Sequence, residues 1–304
     1  MQRIRSIDVF RGISIMLMVL FTLMIKLIPD SGFFDHNTQG EVHPGDFVLS
    51  LFLFVSGMSL VFFVKKREKR KPEFYLDVIE RFGKLFGIGM LLSLFSAGAF
   101  LGMDEVSLSA ILFILTTATI GFSRFFYFVI SLLLAVLYFA LMKNGFVSVF
   151  DGAYLGGYLG AIFYLPVIFA GAYLGKGISE GRMEKAIKEL LIVSIITATL
   201  FFFIFPIDKM RVSPSFIALS VVVGTVFFAG VHSLVERRKR PVPIIESLGR
   251  KPMKYWVLMF AFFIIPYSFC VSFQFCAYPM QLSLPVALHP PHNVAGHGEP
   301  AGAF

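Results

Sequence analysis

Long apolar runs separated by short polar segments dominate the chain. Runs of roughly 18–22 residues match the length that an α-helix needs to cross about 30 Å of hydrocarbon. With their boundaries set by polar residues, glycine and proline, the runs predict nine transmembrane helices, at about 9–29, 45–64, 83–102, 107–122, 125–142, 153–175, 187–206, 214–235 and 254–275. The pattern therefore predicts an all-α polytopic transmembrane helix bundle, with residues 1–275 forming one transmembrane domain.

The composition supports a membrane protein and marks off the end of the chain. Hydrophobic residues make up 57% of the chain and charged residues 15%, whereas soluble domains have about 45–50% and about 25%. Residues 276–304 lack an apolar run and are rich in Pro, His, Gly and Ala. That segment is predicted to be a disordered or atypical C-terminal tail.

The charges alternate between the two sets of connecting segments. One set is basic, with Lys and Arg concentrated at 3–5, 65–71, 124, 176–188 and 237–240. The other set is mainly acidic, and its basic exceptions are Lys143, Lys209 and Arg211. By the positive-inside rule the N-terminus is predicted to be cytoplasmic, in a multi-pass protein of the cell membrane. Because topology explains the net charge of +8, nucleic acid is not an expected partner, although the basic runs are also suited to anionic lipid.

Asp8 and Arg11, at the start of the first predicted helix, are the first candidate functional pair. A spacing of three residues puts them on one helix face, where they can form an ion pair. One interpretation is an anchor for the helix end, which residue chemistry alone favours. The other is that Arg11 meets a phosphate-bearing ligand from the cytosol.

A second candidate group lies in the predicted outward loop between the first two helices. The loop contains His36 and His43, and Asp46 opens the second helix. A histidine beside a carboxylate can act as a general base or nucleophile, because its pKa lies near neutrality. The alternatives are two exposed imidazoles and a helix-capping aspartate. The spacing does not favour a metal site, and the two cysteines form no zinc motif, so no metal is predicted.

Two strings carry a resemblance to a known family. Arg5 to Met18 reads RSIDVFRGISIMLM, and Asp46 to Gly57 reads DFVLSLFLFVSG. Both resemble the opening signatures of the heparan-alpha-glucosaminide N-acetyltransferase family and its prokaryotic relatives. Looser matches are SPSF at 213–216 and LGRKP at 248–252.

The resemblance implies acetyl transfer across a membrane. Acetyl-CoA on the cytosolic side would be the donor, and an amino or hydroxyl group of an extracytoplasmic sugar or glycolipid would be the acceptor. On the matching positions His36 would be the general base or a transient acetyl carrier, and Asp46 would orient or charge-stabilise it. Asp8 and Arg11 would lie at the cytosolic entrance, where Arg11 is the candidate contact for the donor. His43 is an extra candidate that the family pattern does not explain.

Two alternatives stay open at this stage. One is a proton-linked transporter or flippase whose outward histidine loop acts as a gate, although no internal repeat supports it. The other is a catalytically inactive membrane relative. Expected partners are membrane lipid and a sugar or glycolipid acceptor, with a homodimer left open.

Overall fold

The computed structural model describes residues 4–27, 42–67, 71–97, 105–144, 157–239, 242–259, 261–262 and 266. Every regular element within these residues is helical, which confirms the predicted all-α class for this part of the chain. The helices are α1 (Arg5–Leu27), α2 (Phe47–Arg67), α3 (Lys71–Ala97), α4 (Glu105–Thr119), α5 (Arg124–Lys143), α6 (Gly157–Phe163), α7 (Leu165–Ser179), α8 (Met183–Phe202), α9 (Pro214–His232), α10 (Pro243–Arg250) and α11 (Pro252–Met259). A 3-10 turn, Pro44–Asp46, precedes α2, and a π-helix, Ser233–Arg237, extends α9.

Five helical segments of the described chain are long and apolar enough to cross a membrane. They are Arg5–Ile25, Pro44–Lys66, Arg124–Lys143, Gly160–Ser179 and Pro214–Arg237. The predicted multi-pass organisation is thus confirmed, but the count of nine spans is not confirmed. The predicted spans 83–102, 107–122 and 187–206 overlap α3, α4 and α8, which are too polar or too short to qualify. Most of the predicted span 254–275, and the tail 276–304, lie outside the described residues.

Helix α2 is the centre of the bundle and packs most extensively against α7. In an 18-residue apolar stretch of this segment, 72% of the residues are buried, as expected for a helix that is apolar all round. Glycines let the two backbones approach. A Cβ on Gly57 would lie 2.1 Å from the carbonyl oxygen of Ile168, and one on Gly171 would lie 1.9 Å from that of Phe54. Gly57, the last residue of the second family-like string, is therefore a helix-packing contact.

The predicted sixth span, 153–175, contains two helices in its described part rather than one. Helix α6 ends at Phe163 and α7 begins at Leu165, so that Pro166 lies in the first turn of α7. Proline suits this position, because the first-turn N–H groups of a helix have no intrahelical partner. The break leaves Tyr164 between the helices, with its side chain completely buried.

The charged residues divide between the two ends of the bundle. Asp46 precedes α2 and Lys65 lies near its end, about 28 Å further along the helix axis. We call the end that contains Lys65 the basic end and the end that contains Asp46 the acidic end. Contacts that hold the basic end together are Lys65–Ser179, Arg124–Glu180, Arg237–Glu184 and Arg5–Glu246. The segments that the charge pattern assigned to one side do meet, while the orientation in the membrane stays a prediction.

Helices α5 and α8 form the apolar exterior of the described bundle. In an 18-residue apolar stretch of α5, only 11% of the residues are buried. The buried residues of that helix are Tyr127 and Tyr138. Side chains such as Phe125 and Ile192 are largely exposed. These faces suit contact with lipid hydrocarbon.

Candidate functional site

Asp46 is fixed at the start of α2 by the local backbone. It closes the 3-10 turn Pro44–Asp46, and its backbone N–H donates to the carbonyl oxygen of His43 at 3.0 Å. Its side chain is 1% exposed, and Oδ2 accepts the backbone N–H of His43 at 2.9 Å. This bond needs the backbone of His43 and not its imidazole. The carboxylate is thus held buried at the acidic end of the bundle.

Lys209 is the unexpected member of the site. It follows α8, yet its side chain is only 2% exposed, and Nζ lies 3.4 Å from Oδ1 of Asp46. Burial lowers the pKa of the Lys209 ammonium, and the carboxylates of Asp46 and Glu105 oppose that shift. A buried charge is normally paired because its desolvation is costly. The pair therefore joins the start of α2 to the loop before α9.

The loop before α9 has a conformation that turns Lys209 inward. Oδ1 of Asp208 accepts the backbone N–H of Arg211 at 3.0 Å, and the hydroxyl of Ser213 accepts those of Asp208 at 3.0 Å and Phe216 at 3.3 Å. Ser213 thereby caps α9. Val212 has φ of +55°, which is unusual for a β-branched residue and shows how tightly the turn is constrained.

Aromatic side chains pack together at the start of α2, beginning with Phe47, the residue after Asp46. Phe216 of α9 stacks on Phe47 at 5.8 Å between ring centroids and meets Tyr164 edge-on at 6.4 Å. The hydroxyls of Tyr164 and Ser50 are buried and have no hydrogen-bond partner among the described residues. Buried polar atoms without partners are rare in folded proteins and often bind water or a ligand. The acidic end thus combines a charged pair with unused hydroxyls.

Arg11 belongs to a separate cluster at the basic end. Its guanidinium donates to Asp8 Oδ1 at 2.7 Å, to the carbonyl oxygen of Gly249 at 2.6 Å and to the hydroxyl of Ser59 at 3.3 Å. The predicted Asp8–Arg11 ion pair is therefore present, and both side chains are largely buried. Arg11 also links α1 to α2 and α10. These bonds are the anchor that residue chemistry favoured, and donor binding by Arg11 stays a prediction.

The two motif segments that are far apart in sequence pack together here. A Cβ on Gly12 would lie 2.0 Å from the carbonyl oxygen of Ile245, and one on Gly249 would lie 1.7 Å from that of Asp8. Glycine at both positions lets α1 and α10 touch through their backbones. The Leu-Gly-Arg string at 248–250, a loose motif in the sequence, is therefore a structural partner of the first motif.

The N-terminal turn of α1 has its own partners on α9 and its extension. The backbone N–H of Ser6 donates to Glu236 Oε1 at 3.0 Å, and the Ser6 hydroxyl lies 3.3 Å from His232 Nδ1. A carboxylate at this position complements the positive end of the helix dipole. His232 is thus a partner of the first turn of α1.

The remaining predicted site residue, His36, lies outside the described residues. Within the part of the chain that the structure describes, no group of three or more His, Cys, Asp or Glu side chains converges as a metal site would require. The structure brings Asp46 together with Lys209 and keeps both apart from Arg11, which lies at the other end of the bundle.

Comparison with known families connects these observations. A model for the catalytic region of heparan-alpha-glucosaminide N-acetyltransferase matches residues 3–181, more than half of the chain. The chain belongs to this family. Among curated proteins, none matches the chain.

The matched region contains Arg11, His36 and Asp46, whereas Lys209 and the Gly249 contact lie beyond it. The heparan-alpha-glucosaminide N-acetyltransferase family is one of acetyltransferases, and in general it uses acetyl-CoA as donor. Together with the apolar helices, membership identifies a multi-pass membrane protein of a transferase family.

Proposed function

We propose that this protein transfers an acetyl group from acetyl-CoA to an amino or hydroxyl group of a sugar or glycolipid across the cell membrane. The donor would be cytosolic and meet the basic end, and the acceptor would be extracytoplasmic and meet the acidic end. The observation that carries the proposal is the buried Asp46–Lys209 pair, whose Asp46 follows His36 by ten residues. Perturbed, buried ionisable groups of this kind cluster at functional sites.

His36 is the proposed general base or acetyl carrier. As general base, its neutral imidazole takes the proton of the acceptor N–H or O–H while the acceptor attacks the thioester carbonyl carbon. The new N–C or O–C bond forms, the C–S bond breaks, and CoA leaves with the sulfur electron pair. As carrier, the imidazole itself attacks the thioester carbonyl carbon and CoA leaves as the thiolate. The acceptor then attacks the acetyl carbon, the bond between that carbon and the imidazole nitrogen breaks, and the imidazole takes the acceptor's proton. Either route produces positive charge on the imidazole.

Asp46 is the proposed partner of that positive charge. Its carboxylate is held by the His43 backbone and by Lys209, so that it needs little rearrangement during reaction. Preorganised charge in a buried site is more effective than the same charge in water. The Lys209 ammonium lies 3.4 Å from Oδ1 of Asp46, where it would balance the charge of the buried carboxylate.

Arg11 is the proposed donor contact at the basic end. Its side chain is 21% exposed, and this part would meet a phosphate of CoA while the three protein bonds hold the guanidinium in place. Arginine presents several donors in a fixed fork that suits phosphate oxygens. Loss of Arg11 would therefore affect both donor binding and the α1–α10 contact.

Membrane vesicles with the basic end outward, supplied with radiolabelled acetyl-CoA, test the proposal. We expect the parent protein to transfer label to membrane-associated acceptors or to added glucosamine. His36→Ala should lower transfer by about 100-fold or more, as for loss of a general base. His43→Ala is the matched control and should retain most activity, since the backbone N–H that Asp46 accepts is still present in the alanine variant.

Equal transfer by His36→Ala and the parent protein would refute the catalytic assignment. Absence of transfer, together with pH-driven uptake of solute by the same vesicles, would favour the transporter alternative. Absence of acetyl-CoA binding in calorimetry would favour the inactive relative.

A further inference from the structure

A groove lies between α5 and α8, over α7 and α9. It has a volume of about 690 Å³. Its walls include Phe128 and Leu132 of α5 and Ile196 and Leu200 of α8, and it extends toward Pro214 at the start of α9. Several of these wall residues are also exposed on the outside of the described bundle. The groove therefore opens toward the surface that lipid hydrocarbon would cover.

The inner surface of the groove is suited to an apolar ligand. The polar residues in its middle are Ser131, Ser194 and Thr197. Each hydroxyl donates to a carbonyl oxygen of its own helix, at 2.7, 3.1 and 2.8 Å respectively. Their donor hydrogens are thus already used. A polar ligand such as a sugar or the amide-containing arm of CoA would find few donors along these walls.

The groove has a charged mouth at the basic end. Of the charged residues at this end, Arg124 and Glu189 line the groove itself. We define the basic mouth as these two residues together with charged residues that lie near them, namely Glu180, Arg182, Lys185, Lys176 and Lys65. The cations outnumber the carboxylates. Two of them contact aromatic rings of the groove: Arg124 lies 5.4 Å from the ring centroid of Tyr173, and Lys176 Nζ lies 4.7 Å from that of Tyr127.

The length of the groove matches one leaflet of a bilayer. Its lining on α8 runs from Glu189 to Phe201, which corresponds to about 18 Å of helix rise. Half of a hydrocarbon core of about 30 Å is roughly 15 Å. An acyl chain whose headgroup rests on the basic mouth would therefore fill the groove.

We propose that this groove binds one acyl chain of an anionic phospholipid, with the headgroup phosphate held by the basic mouth. Charge complementarity selects an anionic lipid over a zwitterionic one, because clustered Lys and Arg at a membrane surface attract negative headgroups. The apolar lining selects a hydrocarbon chain as the part that enters. Asp46 and Lys209 do not line the groove, although Val212 and Pro214 near Lys209 do, and the inference does not depend on acetyl transfer.

Two threonines on α8 provide a matched test of the chain site. Thr197 lines the groove and Thr199 does not, and both hydroxyls donate to a carbonyl oxygen of the preceding turn. The full-length variants Thr197→Trp and Thr199→Trp are purified from nanodiscs that contain equal amounts of phosphatidylglycerol and phosphatidylcholine. Native mass spectrometry then counts the lipids that each protein retains.

We expect the parent protein and Thr199→Trp to retain one phosphatidylglycerol, and Thr197→Trp to lose most of it. Ala135→Trp, in the groove wall, and Ala140→Trp, outside it, give a second matched pair on α5 if a threonine variant fails to fold. Retention by both groove variants at the parent level would overturn the proposal. A changed dimer fraction with unchanged lipid retention would also overturn it, and would assign the groove to a second copy of the chain.

The headgroup contact has its own test. The double variant Arg124→Gln, Lys176→Gln should reduce the preference for phosphatidylglycerol over phosphatidylcholine by about tenfold or more. Equal retention of both lipids by the parent protein would show that charge does not select the ligand, and the proposal of an anionic lipid would be wrong.

Discussion

The buried Asp46–Lys209 pair makes a quantitative prediction. The perturbation is Lys209→Met and Asp46→Asn, singly and together. The side chains are 2% and 1% exposed, and the charged atoms lie 3.4 Å apart. Removal of one partner leaves the other charge buried without the counter-charge that lies 3.4 Å away, which costs about 3–5 kcal/mol of stability. The double variant removes both charges, so its loss should fall short of the sum of the single losses by about 2–3 kcal/mol.

An exposed ion pair in the same chain is the matched control. Lys185 and Glu189 are 3.8 Å apart, but their side chains are 68% and 39% exposed. Exposed pairs typically contribute less than about 1 kcal/mol, because water and salt screen them. The variants Lys185→Met and Glu189→Gln, singly and together, should therefore show a coupling energy well below that of the buried pair.

The assay is unfolding of the purified protein in mixed detergent micelles, followed by far-ultraviolet circular dichroism, with the coupling taken from each double-mutant cycle. The cycle isolates the energy of the pair from the effects of the single substitutions. Additive losses at Asp46 and Lys209, or a coupling no larger than that of the exposed pair, would refute the argument that these charges are interdependent within the protein.

Three further predictions concern the basic end. Gly249→Ala should cost about 1–3 kcal/mol of stability in a thermal melt, because its Cβ would overlap a backbone oxygen, whereas Gly87→Ala meets nothing within 4 Å and should be neutral or stabilising. The hydrogen bond from Arg250, followed by that from Arg5, lowers the pKa of Glu246. The ionised Glu246 carboxylate therefore stabilises the fold above its unfolded pKa, and this stabilisation is lost as pH falls through the lower folded pKa. A Glu246→Gln variant should therefore lose less stability than the parent protein when the pH falls below about 4.5. Arg11→Lys should lower the melting temperature and raise the KM for acetyl-CoA, and an unchanged KM would limit Arg11 to its anchoring role.

Local sequence patterns predicted the helices and the division of charge. Prediction of α2 from its apolar run, and recognition of the Asp46–Gly57 string, needed only the spacing of residues along one helix. The basic segments were assigned to one side by alternation alone, and their contacts with Glu180, Glu184 and Glu246 agree with that assignment. Such features are local, or depend only on which side of the membrane a loop occupies.

The composition of the site could not be predicted fully, because it depends on long-range contacts that a single sequence does not reveal. Lys209 is 163 positions from Asp46, and no periodic pattern links them. The available signal was that Lys209 is one of three basic exceptions in the otherwise acidic set of segments. Under the positive-inside rule, Lys and Arg are uncommon on that side of the membrane. The Gly249 contact with α1 is equally long-range. The break at Tyr164 was missed because an apolar run containing Pro166 is compatible with either a kink or a new helix.

The most direct test of acetyl transfer across the membrane uses proteoliposomes sorted so that the basic end faces outward. Radiolabelled acetyl-CoA is added outside, and glucosamine is trapped inside at the acidic end. We predict labelled N-acetylglucosamine inside the vesicles, formed by the parent protein and by His43→Ala but not by His36→Ala. Product that forms only when donor and acceptor share one side, or that forms equally well with His36→Ala, would contradict it.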